Sequence, residues 1–393
     1  MFLDEAREID NLQSIRNAGK NLLLVFCALF FVLLAFELSL HGYAIYLNHK
    51  YPEVNLNYSF WAYDPMLGWK NAPGWEGYFT NQTNRFHSFC QINSKGLRDE
   101  EYPYEKNKNT KRILLLGDSF TAGFEVEKKQ TLDARLENLL KSRGHYEVLN
   151  AGVRGFGTDQ SYLYLKNEGY RYSPDIIVYI FTDNDLTENV TIHQPMQKYG
   201  KPYFELAPDG NLELKGSPVS EQFNAGEHFL LSDKKLEAVL NQKLEDKKKK
   251  QYPDWLQKFT FQIERLYLVR WIKREILSIR ALNEPSIKDI HEYPWQVTEK
   301  IIAEMNAFSN KQGARFIVFE ATSGAGKMPK FPTPLQQICN HAGVAYLNAF
   351  HEFYGFSKGK RILCFPQDPH WNAKGHALTA KRIYDFLSEK NWI

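Results

Sequence analysis

Cysteine is scarce in this chain. Four residues of 393, Cys27, Cys90, Cys339 and Cys364, include no CxxC pair and no zinc-ligand spacing. A cysteine-based zinc site is thereby excluded, and no metal is expected. A Cys339–Cys364 bridge in an oxidising compartment and free buried thiols both fit. Charge of one sign is also lacking. The 49 Lys and Arg nearly balance the 46 Asp and Glu, for a net charge of +3. A nucleic-acid surface would need a strongly basic face, so no nucleic-acid partner is expected. There is no GxxxxGK phosphate loop and no GxGxxG after the first expected strand, which leaves no nucleotide cofactor implied. No repeat of fixed period is present. What the chain does have is length for a sizeable core and a high aromatic content, 15%.

The longest apolar run is 22–36, fifteen residues broken at Glu37 and continued by Leu38–Leu40 and the belt Tyr43, Ile45, Tyr46 and Leu47. The run alone is shorter than the ~20 residues that span hydrocarbon, but Glu37 would fall near an interface, where a charge is tolerated. Arg7, Arg16 and Lys20 precede it and only Lys50 follows closely. That asymmetry favours an inside N-terminus and an outside main body. Three readings fit: a membrane anchor over 21–47 behind a cytoplasmic tail at 1–20, a cleaved secretory signal, and a buried core helix. The first two put the main body in the same compartment, as a single-pass or secreted protein with its domain periplasmic or at the cell surface.

Residues 48–110 are rich in Trp, Tyr, Pro, Asn and Gly and predict a leader of loops and short strands. From Lys111 the pattern alternates. Strands are predicted at 112–116 (RILLL), 146–150, 175–181 (DIIVYIF), 315–320 (RFIVFE) and 344–347. Helices are predicted at 131–143, 159–168, 297–311, 334–342 and 373–388. Strands separated by helices of this length imply right-handed parallel βαβ units and a three-layer sheet of about five strands. A polar insertion at about 186–290 interrupts the alternation within the domain 111–393. It holds a solvated lysine run at 247–250 and a basic helical stretch at 255–279, readable as a membrane-surface, lid or ordinary surface helix.

Doubly wound sheets bind ligands beyond the carboxyl ends of their strands. Polar clusters stand at those ends: Gly117-Asp118-Ser119 after the first strand, Asn150 to Gly155 after the second, Thr182 to Asp185 after the third, and Asp368-Pro369-His370 before the last helix. Each alone is weak, because Asp and Asn are common turn residues. Their joint order carries weight. A serine hydroxyl needs a base to take its proton, and His370 can do so while Asp368 orients it. His376, His193, His351 and Glu320 have helix-face, loop or core explanations. Trp371 is read as packing beside the histidine loop.

In these blocks the sequence resembles the SGNH (GDSL-like) hydrolases. GDSFTAG at 117–123, NAGVRG at 150–155, TDND at 182–185 and DPHWN at 368–372 are similar to the family's four ordered blocks. YDPMLGW at 63–69 with INSKGLRDEEYP at 92–103 resembles the leader of its membrane-anchored bacterial members. The resemblance, over roughly 111–390, implies a flavodoxin-like α/β/α sheet. It implies a catalytic Ser119, His370 and Asp368, and an oxyanion hole from the N–H groups of Ser119 and Gly155 with the amide of Asn184. No cofactor is implied. Two departures stand out. The acid and base are spaced D-x-H rather than DxxH, a form similar to alginate-acetylation proteins that transfer or remove acetyl groups. Asp183 replaces the glycine of GND, and a carboxylate there opposes an oxyanion unless it points away.

Three activities follow as expectations: an extracytoplasmic esterase acting on a carboxylic ester, such as O-acetyl groups of a glycan or a lipid ester; an O-acyltransferase on the same site; and a silent binding protein that keeps the fold.

Overall fold

The computed structural model describes residues 2–50, 60–80, 87–193, 197, 199–221, 292–324, 328–357, 362–365 and 368–393. The lysine run and the basic stretch at 255–279 lie outside them.

Helix α1 (Phe2–Lys50) contains the stretch Arg16–Tyr43, 28 residues long and apolar enough to cross a membrane. At 1.5 Å per residue it is about 42 Å long, more than the ~30 Å of hydrocarbon. Its apolar side chains are exposed from Leu22 to Leu34.

The main unit is built on five parallel strands: β1 (Thr110–Gly117), β2 (His145–Asn150), β3 (Ile176–Phe181), β4 (Arg315–Glu320) and β5 (Ala345–Asn348). Their order is β2-β1-β3-β4-β5, the flavodoxin-like arrangement. Strands covered on both faces read as unbroken apolar runs. Alternate residues of one run then serve opposite layers. Leu114, Leu116, Ile177 and Tyr179 enter one core with α4 (Thr158–Asn167), α5 (Tyr293–Lys311) and α6 (Pro334–His341). Ile113, Leu115, Ile176 and Val178 enter the other, with α3 (Leu132–Leu140), α7 (Phe350–Ser357) and α8 (Ala373–Glu389). The expected three-layer α/β fold is therefore present. α7 was not expected: its aromatics are weak helix formers, and burial of Phe350 and Phe353 holds it.

The leader forms two antiparallel hairpins, Trp61–Asp64 with Gly68–Asn71 and Glu76–Thr80 with His87–Gln91. They do more than connect. Phe60, Trp61, Trp69, Cys90 and Ile92 are buried in the first core. The described part of the insertion adds the hairpin Tyr203–Leu206 with Leu212–Lys215. It is tied down by Lys201, fully buried on Asp159 at the start of α4. The four cysteines are free thiols.

Candidate active site

Ser119 stands at the switch point of the sheet, just past β1 and beside β3. The chain leaves β1 through Gly117 at φ 145, where a Cβ would meet Thr121 Oγ1 and come within 2.7 Å of the carbonyl of Ile180. Only glycine fits there. Asp118 caps the next turn, its Oδ1 accepting the Phe120 N–H at 2.9 Å. Ser119 then opens α2 (Ser119–Ala122), a single turn closed by Gly123 at φ 62. Any helix-dipole support behind the serine is thus limited to one turn.

His370 reaches Ser119 from the opposite end of the chain. Its Nε2 lies 2.8 Å from Ser119 Oγ, and its Nδ1 lies 2.6 Å from Asp368 Oδ1. The two-residue spacing has a local explanation. Asp368 Oδ1 also accepts the backbone N–H of His370 at 3.0 Å, so one oxygen closes an Asx turn and receives the ring. The loop is pinned on both sides. Phe365 donates to the carbonyl of His370, Asn372 donates to that of Leu363, and Asn372 caps α8 through Lys374 and Gly375. Burial raises the Asp368 carboxyl, but the hydrogen bond and charge of His370 outweigh it and hold the group below its ordinary value.

The remaining blocks meet the same rim. Gly155 lies on the loop after β2 at φ 79, a conformation that favours glycine. Asn184 follows β3, its Nδ2 donating to Asp118 Oδ2 at 3.1 Å. An amide nitrogen carries two hydrogens, so this bond uses one of them. The Thr182 hydroxyl bridges this cluster, 3.0 Å from Asp118 Oδ2 and 2.7 Å from Asn184 Oδ1. Asp183 is exposed. Asp185, not the residue that raised concern, is the buried acid. It accepts the Tyr179 hydroxyl at 2.6 Å, and burial with the neighbouring Asp118 pushes its carboxyl far up.

No family model and no curated protein matches this chain. Solved structures do. A lipase/acylhydrolase from Enterococcus faecalis is 13% identical over 71% of this chain and 96% of its own, at a TM-score of 0.36. An acetyl xylan esterase is 12% identical over 70% and 99%, at 0.38. A GDSL-like lipase from Bacteroides thetaiotaomicron is 12% identical over 71% and 89%, at 0.33. At such identity and overlap these likenesses say nothing of activity.

Several supporting residues escaped the sequence reading. Arg98, 1% exposed, donates to the carbonyls of Ala122, Gly123 and Val126 and so fixes the chain leaving the serine turn. Trp69 Nε1 donates to the Arg154 carbonyl at 3.0 Å, and Asn71 Nδ2 to that of Gly152 at 3.1 Å. Both come from the first hairpin, so the leader braces the second block. Glu125 lies buried with Oε1 3.6 Å from His370 Nδ1, paired to Arg154. The only sequence signal was a lone acid between Phe124 and Val126.

The residues set aside behave as expected. His376 is fully buried edge-on to Trp371, and burial pushes its imidazole down to about 4. His193 bonds the Gln197 carbonyl, and Glu320 accepts from Thr333 and Tyr346. His351 stacks on Phe331. Trp371 is buried and donates to the Thr322 carbonyl at 2.8 Å. Among the described residues no group of three or more His, Cys, Asp or Glu could hold a metal.

Proposed function

We propose that this chain is a serine esterase of the SGNH (GDSL-like) kind, held to a membrane by α1, with its main unit outside the cytoplasm. The observation that carries the reading is the unbroken relay from Ser119 through His370 to Asp368, at 2.8 and 2.6 Å. Neutral His370 accepts the Ser119 hydroxyl proton at Nε2 while Nδ1–H stays with Asp368. The serine oxygen bonds to the ester carbonyl carbon, and the carbonyl oxygen becomes an oxyanion. The N–H groups of Ser119 and Gly155 and the second amide hydrogen of Asn184 receive that charge, each donor being worth about 3 kcal/mol. Collapse breaks the bond to the alcohol, which leaves with the proton from Nε2. Water then repeats the sequence on the acyl-serine and restores the site.

The exposed position of Asp183 supports activity over a silent fold, because a solvated carboxylate is screened from the oxyanion. The excess of Arg7, Arg16 and Lys20 before the apolar stretch supports the outside orientation. The test is hydrolysis of p-nitrophenyl acetate by the full-length chain in detergent. Turnover should vanish in Ser119→Ala and His370→Ala. Undiminished turnover in either variant, or none in the wild type, refutes the reading. Supplying a glycan beside water as acceptor separates hydrolysis from acyl transfer.

A further inference from the structure

Asp368 is not the only carboxylate facing the Nδ1 side of His370. Glu125 approaches from the chain after α2, its Oε1 at 3.6 Å from Nδ1 and its side chain 1% exposed. Arg154, from the loop after β2, donates to the same Oε1. The guanidinium of Arg154 lies 4.7 Å from the ring centre of Phe79, and its backbone carbonyl is held by Trp69. Glu125 Oε2 is buried with no hydrogen-bond partner among the described residues. Burying such a pair gives little or no net stability. Its place beside the base therefore calls for another explanation.

We propose that Glu125 is a positioning residue for His370: a second carboxylate that, together with Asp368, holds the imidazolium formed when Ser119 gives up its proton, with Arg154 moderating its charge. This rests on the reading of His370 as the general base. The ring has one Nδ1 hydrogen, and Asp368 at 2.6 Å takes it. Glu125, an ångström further away and 1% exposed, acts through charge, and burial strengthens Coulomb forces relative to water.

The surrounding charges agree with this assignment. Among the described residues, the ionisable groups that bear on the ring are Asp368 on its own loop, Glu125 after α2, Arg154 after β2, Asp118 at the end of β1 and His376 on α8. Burial alone would push the His370 imidazole down. The charge of Glu125 and the hydrogen bond of Asp368 outweigh both burial and Arg154 and hold it above its ordinary value. Burial likewise raises Glu125, but Arg154 and His370 keep it ionised.

The experiment is the pH profile of kcat/KM for p-nitrophenyl acetate in the full-length chain, since its acid limb reports the base of the free enzyme. Glu125→Gln keeps the shape and removes the charge. Its acid limb should move to lower pH, with kcat down about tenfold. Arg154→Met bares Glu125 and should move the limb the other way. The double variant E125Q/R154M, which leaves no lone buried charge to unfold the chain, should again lie below the wild type, because Glu125 outweighs Arg154 at the ring. Limbs unmoved in E125Q and in the double variant would overturn the proposal while leaving the esterase reading intact. Wild-type turnover indifferent to His370→Ala would remove the esterase reading, and this proposal with it.

Discussion

Replacing His376 with Leu should flatten the acid side of the stability profile. His376 is 1% exposed, packs edge-on against Trp371 at 5.6 Å, and has no hydrogen bond to Nδ1 among the described residues. Burial disfavours the cation, so the folded imidazole is held at about 4 against 6.5 for the free side chain. Between those values the unfolded chain binds a proton that the native state refuses, so stability is full above about pH 6.5 and drains away as pH falls toward 4. At 1.36 kcal/mol per pH unit the whole loss is about 3 kcal/mol, and about 2 kcal/mol of it is gone by about pH 5. The assay is urea unfolding of the full-length chain in detergent, followed by tryptophan fluorescence at about pH 7.5 and about pH 5. Leu carries its own constant cost, but that cost does not vary with pH. The wild type should lose about 2 kcal/mol more than H376L over this interval. Equal losses would show that the buried ring titrates normally and would refute the reasoning.

Three further outcomes follow. Arg98→Met strips donors from three carbonyls behind the serine turn, so it should lower stability by about 3 kcal/mol and reduce kcat in protein that remains folded; thermal unfolding and turnover check both. Asn184→Ala should lower kcat by about 10²–10³ with little change in KM, measured as steady-state hydrolysis. Lys201→Met abandons Asp159 in the interior and should cost about 3–5 kcal/mol, most of it recovered in the double variant Asp159→Asn/Lys201→Met; urea midpoints distinguish the two.

Much of the sheet could be read directly. RILLL, DIIVYIF and RFIVFE are unbroken because helices cover both faces, and a doubly buried strand has no polar side to interrupt it. The order of the blocks then brought Ser119, Gly155, Asn184 and His370 to strand ends, where such folds keep their ligands. The D-x-H spacing looked like a departure in sequence. In three dimensions it is an Asx turn, a geometry that sequence distance alone does not reveal. The hairpins of the leader were less legible. Their short strands carry Trp69 and Asn71, which donate to carbonyls more than 80 residues away. Glu125 was illegible for the same reason: its meaning comes from Arg154 and His370, 29 and 245 positions further on. α7 has the opposite problem, since FHEFYGFS shows weak helix propensity and is fixed by tertiary packing.

The most direct test of the relay is covalent. A fluorophosphonate should phosphonylate one serine of the full-length chain, and mass spectrometry should find the adduct on the peptide containing Ser119, absent in Ser119→Ala and strongly slowed in His370→Ala. An adduct on another serine, or labelling of Ser119 at the same rate without His370, would contradict the account.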